Sequence, residues 1–263
     1  MFVSMGRRQG MGRRQGIWAV LAALLAGNTL SASVIGTPRT AFRHLYALHG
    51  NARVTVQNLY GDVSITAWDR DAVLVEAIKH STGPRHLDDA LIVVEPGADS
   101  LSIRTQYTGS DAEHPTSVEY RITVPRRIHL DSVVLTNGQL SLDGLSGPIK
   151  ASAVNGDIHA LNLGGRAELS TVNGRVDANF DRTSPANPIS LSSVNGAIAL
   201  TLPRGSGASL EAQNLSGGIA SDVGLVSRTD AGHRLVVKGV GPRIRLHNVN
   251  GGISIHSTEH PCT

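Results

Sequence analysis

Apolar residues return at a fixed period of nine positions between Asn137 and Leu202. Counted from a glycine, an apolar or small residue stands at the second and fourth places and usually at the seventh, as in Gly138 followed by Leu140, Leu142 and Leu145. The same pattern starts again at the following positions: Gly147, Gly156, Gly165, Gly174 and, after four extra residues, Asn187 and Gly196. A constant period of this kind is typical of a repeat architecture.

The residue before each glycine alternates along this stretch. Asparagine precedes every second glycine, and serine or glycine precedes the others, in the order Asn137, Ser146, Asn155, Gly164 and Asn173. The full structural period is therefore eighteen residues, with an Asn-Gly corner on one side and a Ser-Gly or Gly-Gly corner on the other.

Two arrangements of strands fit the pattern. Apolar residues at alternate places predict strands, whose side chains point to opposite faces with period two. Asn-Gly is also a strong hairpin signal, so an antiparallel meander is one interpretation. The step of three between the fourth and seventh places requires a turn inside the unit, which favours stacked coils over hairpins. We therefore expect an all-β fold, a β-solenoid or β-roll-like stack of short strands with eighteen-residue coils and a wider N-terminal β cap.

The corners of such a stack are the candidate structural sites. Glycine supplies the positive φ of a tight corner, and asparagine is among the few other residues that tolerate it. In stacked coils the asparagine amides would lie in a row and bond from coil to coil. The predicted corner residues are Asn137, Gly138, Asn155, Gly156, Asn173, Gly174, Asn195 and Gly196.

The chain divides into a leader, one domain and a tail. Residues 1–33 resemble a secretory signal peptide, with a basic start, an apolar run from Ile17 to Ala26 and a small-residue exit. The alternative, a membrane anchor, needs about 20 apolar residues, and the run has only ten. Residues 34–256 are expected to form one domain, with looser strands in 45–127, regular half-coils in 128–202 and irregular final coils in 203–256. A flexible tail, 257–263, follows.

Composition narrows the function classes. Only 3% of the 263 residues are aromatic, and Cys262 is the single cysteine, so no internal disulfide forms. The net charge of +3 arises in the leader, because the rest of the chain carries 20 basic and 21 acidic residues. Nucleic-acid binding depends on clustered basic residues and is not expected.

The exported leader, the strand that ends in Val124-Pro125 and the Val-Asn-Gly-x-Ile coils together resemble a family of bacterial adhesin-like proteins of unknown function, whose members are β-solenoids. The resemblance covers about residues 45–256. It implies an exported, mostly β envelope protein and provides no catalytic residues.

Two patterns in the sequence bear on metal binding, a short motif near the C-terminus and the nine-residue repeat itself. His256-Ser-Thr-Glu259-His260 matches the pattern of inverted zinc peptidases, but that site needs a helix, and here the motif follows a predicted strand. Adventitious metal binding by His256, His260 and Cys262 is the milder alternative. Calcium-binding nonapeptides carry oxygen ligands at matching places, whereas the third place here varies between repeats. We expect no metal and no cofactor.

A polysaccharide lyase or hydrolase is the enzymatic alternative. Such sites gather two or three carboxylates on one face, and the candidates here are Asp157, Glu168 and Asp177. Trp68 is the one tryptophan left for sugar stacking after leader removal. The favoured function is a non-enzymatic, structural, adhesive or sensing protein of the periplasm, envelope or cell surface. The expected partner is an envelope protein or a surface polysaccharide, with no nucleic acid and no membrane span after leader removal.

Overall fold

Alternating apolar and polar residues form short strands throughout the chain. A computed structural model describes residues 39–81, 84–108, 116–223, 227–229 and 233–258. These residues belong to one compact unit, Thr37–Thr263. The expected leader and most of the expected tail lie outside the described residues.

The described residues form 21 strands and a single 3-10 turn, Pro84–Asp89. The strands are β1 (Arg39–Ala47), β2 (Arg53–Tyr60), β3 (Val63–Trp68), β4 (Ala72–Ser81), β5 (Ala90–Pro96), β6 (Ser100–Tyr107), β7 (Thr116–Pro125), β8 (His129–Asn137), β9 (Leu140–Asp143), β10 (Ile149–Asn155), β11 (Ile158–Leu163), β12 (Ala167–Asn173), β13 (Val176–Phe180), β14 (Ile189–Asn195), β15 (Ile198–Pro203), β16 (Ser209–Ser216), β17 (Ile219–Ser221), β18 (Ser227–Thr229), β19 (Arg234–Val237), β20 (Arg243–Asn250) and β21 (Ile253–Thr258).

The strands form two large mixed sheets. Sheet I has ten strands in the order β1-β4-β7-β3-β9-β11-β13-β15-β21-β17. Sheet II has eleven strands in the order β18-β19-β16-β20-β14-β12-β10-β8-β2-β6-β5. Neither order returns to its first strand, so neither sheet closes into a barrel. The expectation of an all-β fold is confirmed at this level.

Consecutive strands in the middle of the chain alternate between the two sheets, and neighbours within a sheet run parallel. In sheet II, Ile149 of β10 pairs with Ala167 of β12, and in sheet I, Ile158 of β11 pairs with Val176 of β13. The offset between partners there is 18 residues. It grows to 22 after the insertion before β14. The hairpin interpretation requires antiparallel neighbours and is wrong for these strands.

Inward-facing side chains of the sheets form a continuous aliphatic core. In β12 and β13, the buried positions alternate with partly exposed ones, as strand geometry requires. The core extends from Leu48 near the N-terminal end to Ile255 in the last strand. Burying each such side chain contributes roughly 1.5–3 kcal/mol, so the core is the main source of stability.

The order of strands in the sheets differs from their order in the chain. β20 lies between β14 and β16, and β21 lies between β15 and β17. Similarly, β2 lies between β6 and β8. Residues 203–256 were expected to form irregular final coils, but β21 pairs with β15 over six consecutive positions. The last strands in sequence are thus internal to both sheets.

Antiparallel strands complete one end of sheet I and both ends of sheet II, whereas the other end of sheet I is the parallel strand β17. β1 and β4 extend sheet I beyond β7, β5 follows β6 in sheet II, and β19 and β18 follow β16. Strands reach beyond the expected bounds at two places. The first strand starts at Arg39 rather than 45, because nine residues of β1 pair with β4. The tail starts later than 257, because Ser257 and Thr258 pair with β15.

Candidate functional site

The corner asparagines form a row of side-chain hydrogen bonds. Asn155 donates from Nδ2 to Asn137 Oδ1 at 2.9 Å, and Asn173 donates in the same way to Asn155 at 2.8 Å. Asn195 and then Asn250 continue the row, each at 2.9 Å from the preceding oxygen. Because each middle amide both donates and accepts, the row joins five adjacent strands. Asn250 was not among the sequence-predicted corner residues, since it follows the irregular stretch.

The corner glycines form a column in close backbone contact. A Cβ on Gly138 would lie 2.6 Å from the carbonyl oxygen of Gly61, and Cβ atoms on Gly156 and Gly174 would overlap the carbonyl oxygens of Gly138 and Gly156. Gly196 meets Gly174 in the same manner. At each glycine of this column, the neighbouring strand therefore leaves no room for a side chain.

The reason given for two of these glycines from sequence is wrong. Gly138 and Gly196 have φ values of 138° and 155°, in the left-handed region, but φ at Gly156 and Gly174 lies outside that region. At those two positions it is the approach of the neighbouring strand, rather than the dihedral angle, that excludes a side chain.

A second row of residues, most of them polar, lies buried beneath the corner. We call it the inner row, one residue from each of seven adjacent strands of sheet II: Asn58, Leu135, Ala153, Thr171, Ser193, Asn248 and Asn214. Its polar members donate to the carbonyls of the corner glycines. Thr171 Oγ1 reaches Gly156 O and Ser193 Oγ reaches Gly174 O, both at 2.9 Å.

The asparagines of the inner row donate to the equivalent carbonyls of other corner glycines. Asn248 Nδ2 donates to Gly196 O at 3.0 Å, and Asn214 Nδ2 donates to Gly251 O at 2.7 Å. The Oδ1 atoms of both asparagines are buried without a hydrogen-bond partner among the described residues. Sequence reasoning missed this row. The recurrence of small polar residues directly before the exposed valine was the available signal.

The seventh place of the repeat is inward at only one of the two corners. Leu145 and Leu163, at the Ser-Gly and Gly-Gly side, are buried as expected. Val154, Val172 and Val194, on the Asn-Gly side, are 40%, 41% and 40% exposed, which contradicts the inward assignment. The chain bends at the inner row, so the residue after it turns outward together with the asparagine that follows.

The three candidate carboxylates of the enzymatic alternative lie apart. Asp157 stands at a corner, where its Oδ1 accepts a hydrogen bond from Arg175 N at 2.7 Å. Glu168 belongs to β12 of sheet II and lies 3.7 Å from Lys150 Nζ, whereas Asp177 belongs to β13 of sheet I. The structure therefore does not bring these residues together in one groove.

The His256 motif also lacks the geometry of a zinc site. His256 lies in β21 rather than in a helix, and its Nδ1 is 3.4 Å from Asp222 Oδ2. His260 and Cys262 lie outside the described residues. Within the described ranges, no group of three His, Cys, Asp or Glu side chains is placed to hold a metal ion. The described segments likewise include no helix of sufficient length and apolarity to span a bilayer.

Tyrosines concentrate near the N-terminal end of the sheets. Tyr120 is fully buried, and its hydroxyl lies 2.8 Å from Thr105 Oγ1. Burial raises the pKa of Tyr120 to about 12, although the bond to Thr105 opposes this shift. Burial also raises the pKa of Tyr107, which packs edge-on against Tyr60. These residues are half-buried or buried and fill the end of the core.

Trp68 is half-buried at the same end. Its indole Nε1 donates to Ala72 O at 2.8 Å, and the Arg70 guanidinium stands 5.1 Å above the ring. A shallow pocket of about 370 Å³ includes Trp68, Arg70, Arg43 and His44.

No known protein family and no curated protein matches the sequence. Solved bacterial structures resemble the fold distantly. They include a putative cell adhesion protein from Clostridium sporogenes (11% identity, 83% of this chain, 100% of that chain, TM-score 0.44) and a putative adhesin from Bacteroides fragilis (12%, 83%, 97%, 0.41). A putative lipid binding protein from Parabacteroides distasonis is also similar (11%, 84%, 97%, 0.30). Similarities this distant carry no function to the present chain.

Proposed function

We propose that the chain is a non-enzymatic, exported protein of the cell envelope or surface, in which stacked coils form a rigid β-solenoid with an adhesive, structural or sensing role. One observation carries the proposal: adjacent strands pair in parallel at an offset of one eighteen-residue unit in both sheets, over one continuous core. Each pair of strands with its two corners then makes one coil, and the asparagine row joins the coils along one edge.

Rigidity follows from the contacts at the corner. The glycine column lets neighbouring backbones approach closely, and the amide row and the inner row add a side-chain hydrogen bond on each side of the column. A stack stabilised this way presents long, regular rows of side chains on its outer faces. Such faces suit contact with an extended polymer or another protein better than they suit a reaction centre, because catalytic groups must converge on one point.

The outward charges support binding rather than catalysis. On sheet II, opposite charges follow one another along the stack, with Lys150 next to Glu168, and with Glu211 next to Arg234 at 2.8 Å. These exposed pairs neutralise the surface locally and contribute little to stability. The partner class that fits is an envelope protein or a surface polysaccharide, in keeping with the near-neutral chain.

Cell fractionation tests the location. We expect the full chain, expressed in a bacterial host, to appear outside the cytoplasm with a mass that lacks residues 1–33. Replacing Leu24 by Arg in the centre of the apolar run should retain the protein inside, whereas Leu24→Ile should not. Retention of the unaltered chain in the cytoplasm at full mass would contradict the proposal.

A binding experiment tests the role. The exported protein is used to capture partners from envelope extract, with and without prior digestion of the extract by protease or periodate, so that protein and polysaccharide partners are distinguished. In parallel, polysaccharides incubated with the protein are analysed for new reducing ends or unsaturated products. We expect capture without cleavage. Cleavage that disappears in Asp157→Asn, Glu168→Gln or Asp177→Asn would favour the enzymatic alternative.

A further inference from the structure

Exposed apolar side chains on the described residues are concentrated in one line. Nine large hydrophobic residues are exposed, and five of them, Leu59, Val154, Val172, Val194 and Leu215, occupy equivalent positions on strands of sheet II. Each lies between the inner row and the corner residue of its strand. Thr136 of β8 and Val249 of β20 complete the line. The outer row is, in stack order, Leu59, Thr136, Val154, Val172, Val194, Val249 and Leu215.

The outer row is long and straight because its seven strands are adjacent and parallel. Neighbouring strands in a sheet are about 4.8 Å apart, so six intervals give a row of about 29 Å. Apart from Val134, the outward positions elsewhere on these strands carry polar or charged residues. A line of valine and leucine in water is therefore an exception to the pattern of this sheet, and contiguous apolar patches on a surface mark interaction sites.

The rows on both sides of the outer row carry almost no charge. On one side stand the corner asparagines, and on the other stand Gln57, Val134, Ser152, Ser170, Ser192, His247 and Gln213. The charged residues Lys150, Glu168 and Arg245 come only one step further along the strands. A highly charged partner would gain no ion pair across this strip, whereas two identical neutral strips meet without repulsion.

The order of residues in the outer row is almost the same in both directions. It begins and ends with leucine, its centre is Val172, and valines flank the centre. A two-fold axis through Val172 would place Val154 opposite Val194 of a second copy, and Leu59 opposite Leu215. A two-fold interface uses the same patch on both subunits and so needs a patch that is complementary to itself.

We propose that the outer row is the interface of a homodimer in which two stacks lie side by side and antiparallel. Both copies carry the same spacing of about 4.8 Å, so each side chain of one row meets a side chain at the same level in the other row. The strip, three residues wide on seven strands, offers about 21 residues, within the roughly 20–30 residues a side found in stable interfaces.

Sedimentation velocity of the exported full chain over a range of concentrations tests the dimer. Val172→Arg places two like charges face to face on the axis, and we expect it to weaken dimerisation by at least about a hundredfold. The control is Leu161→Arg, because Leu161 is 48% exposed on β11 of the other sheet. Far-UV circular dichroism and melting temperature verify that both variants fold. A monomer at all concentrations, or a dimer that Val172→Arg does not weaken, overturns the proposal.

Crosslinking tests the antiparallel orientation. In a Cys262→Ser background, Leu59→Cys and Leu215→Cys each introduce a single thiol at one end of the outer row. A short bismaleimide should couple the two variants when they are mixed, because each end faces the opposite end of the second copy. It should not couple Leu59→Cys with itself, since those sites would be about 29 Å apart along the row. Efficient self-coupling would show parallel stacks and overturn the two-fold through Val172.

Discussion

Replacement of Gly156 by alanine should destabilise the protein through a contact between neighbouring strands. The added Cβ would overlap the carbonyl oxygen of Gly138 and lie 2.8 Å from its carbonyl carbon. Two carbon atoms are most stable at about 3.5–4.0 Å, so the paired strands on either side of the corner, β8 with β10 and β9 with β11, must separate locally by about 1 Å. Neither main-chain atom of Gly138 can rotate away, unlike the end of a flexible side chain.

The cost follows from the hydrogen bonds that cross this contact. Gly138 N bonds to Asn155 O at 3.1 Å, Leu140 N bonds to Asp157 O at 2.9 Å, and the amides of Asn155 and Asn137 are 2.9 Å apart. A separation of about 1 Å lengthens all three beyond the range of a hydrogen bond. At about 1 kcal/mol for each bond, the loss is about 3 kcal/mol. The reduced freedom of the unfolded chain recovers about 0.4–1 kcal/mol, which leaves a net loss of about 2–3 kcal/mol.

Urea denaturation followed by far-UV circular dichroism measures this loss. The matched control is Gly218→Ala, because a Cβ on Gly218 meets no heavy atom within 4 Å and its φ is not left-handed. We expect Gly218→Ala to unfold at the same urea concentration as the wild type or slightly above it. Gly156→Asn adds a second test. If a left-handed φ were the reason for glycine, asparagine would be milder than alanine, whereas the steric contact makes it at least as harmful.

The contact explanation fails if Gly156→Ala and Gly218→Ala have the same unfolding midpoint. It also fails if Gly156→Asn is clearly more stable than Gly156→Ala. The first result would mean that the strands separate at the corner without losing their hydrogen bonds. The second would mean that the backbone conformation, rather than the contact, requires glycine.

Three further predictions concern single side chains. Asn155→Ala should lower the free energy of unfolding by about 1 kcal/mol, because the hydrogen bond to Asn137 is lost. Asn155→Asp should lower it by more, because a carboxylate oxygen would face the Asn137 Oδ1 with no hydrogen between the two oxygens. Equal midpoints in urea at pH 7 would contradict the amide row. Asn248→Thr should stabilise by about 1 kcal/mol, because a hydroxyl placed like that of Thr171 keeps the donor and removes a buried, unpaired oxygen; a lower melting temperature would count against this. Burial raises the pKa of Tyr120 to about 12 from the ordinary 10, so stability should hold below pH 10 and fall between pH 10 and 12, where the unfolded chain ionises first. Tyr120→Phe should make that fall shallower in an alkaline urea series, and an unchanged slope would exclude Tyr120 as its source.

The sequence was informative wherever one residue type recurs at a fixed spacing. The Asn-Gly pairs identified the corner and the nine-residue spacing identified the strands, since both depend on local backbone geometry. The seventh place misled because one sequence position serves two different corners. Leu163 faces the core, whereas Val172 follows the last buried position of its strand, Thr171, and faces water.

The neighbour relations of the strands could not be predicted from the pattern. Residues 242–255 carry the same apolar spacing as any other unit, so nothing in them specifies which strands they will join. Their place beside β14 and β15 depends on the packing of whole strands, and on β16 and β17 occupying the position beyond them. The close approach of glycines was hidden for the same reason, because it is a contact between distant residues.

The internal position of β20 and β21 sets a condition on biogenesis. A chain that emerges from its N-terminus can assemble β8 to β15 one unit at a time, but β16 and β17 find no parallel partner until residues 243–258 have arrived. The final segment is therefore needed to complete the stack. A chain shortened before Arg243 would leave β16 and β17 without their parallel partners. For the same reason, a unit added directly after β21 would find the positions beside β20 and β21 already occupied by β14 and β16 and by β15 and β17.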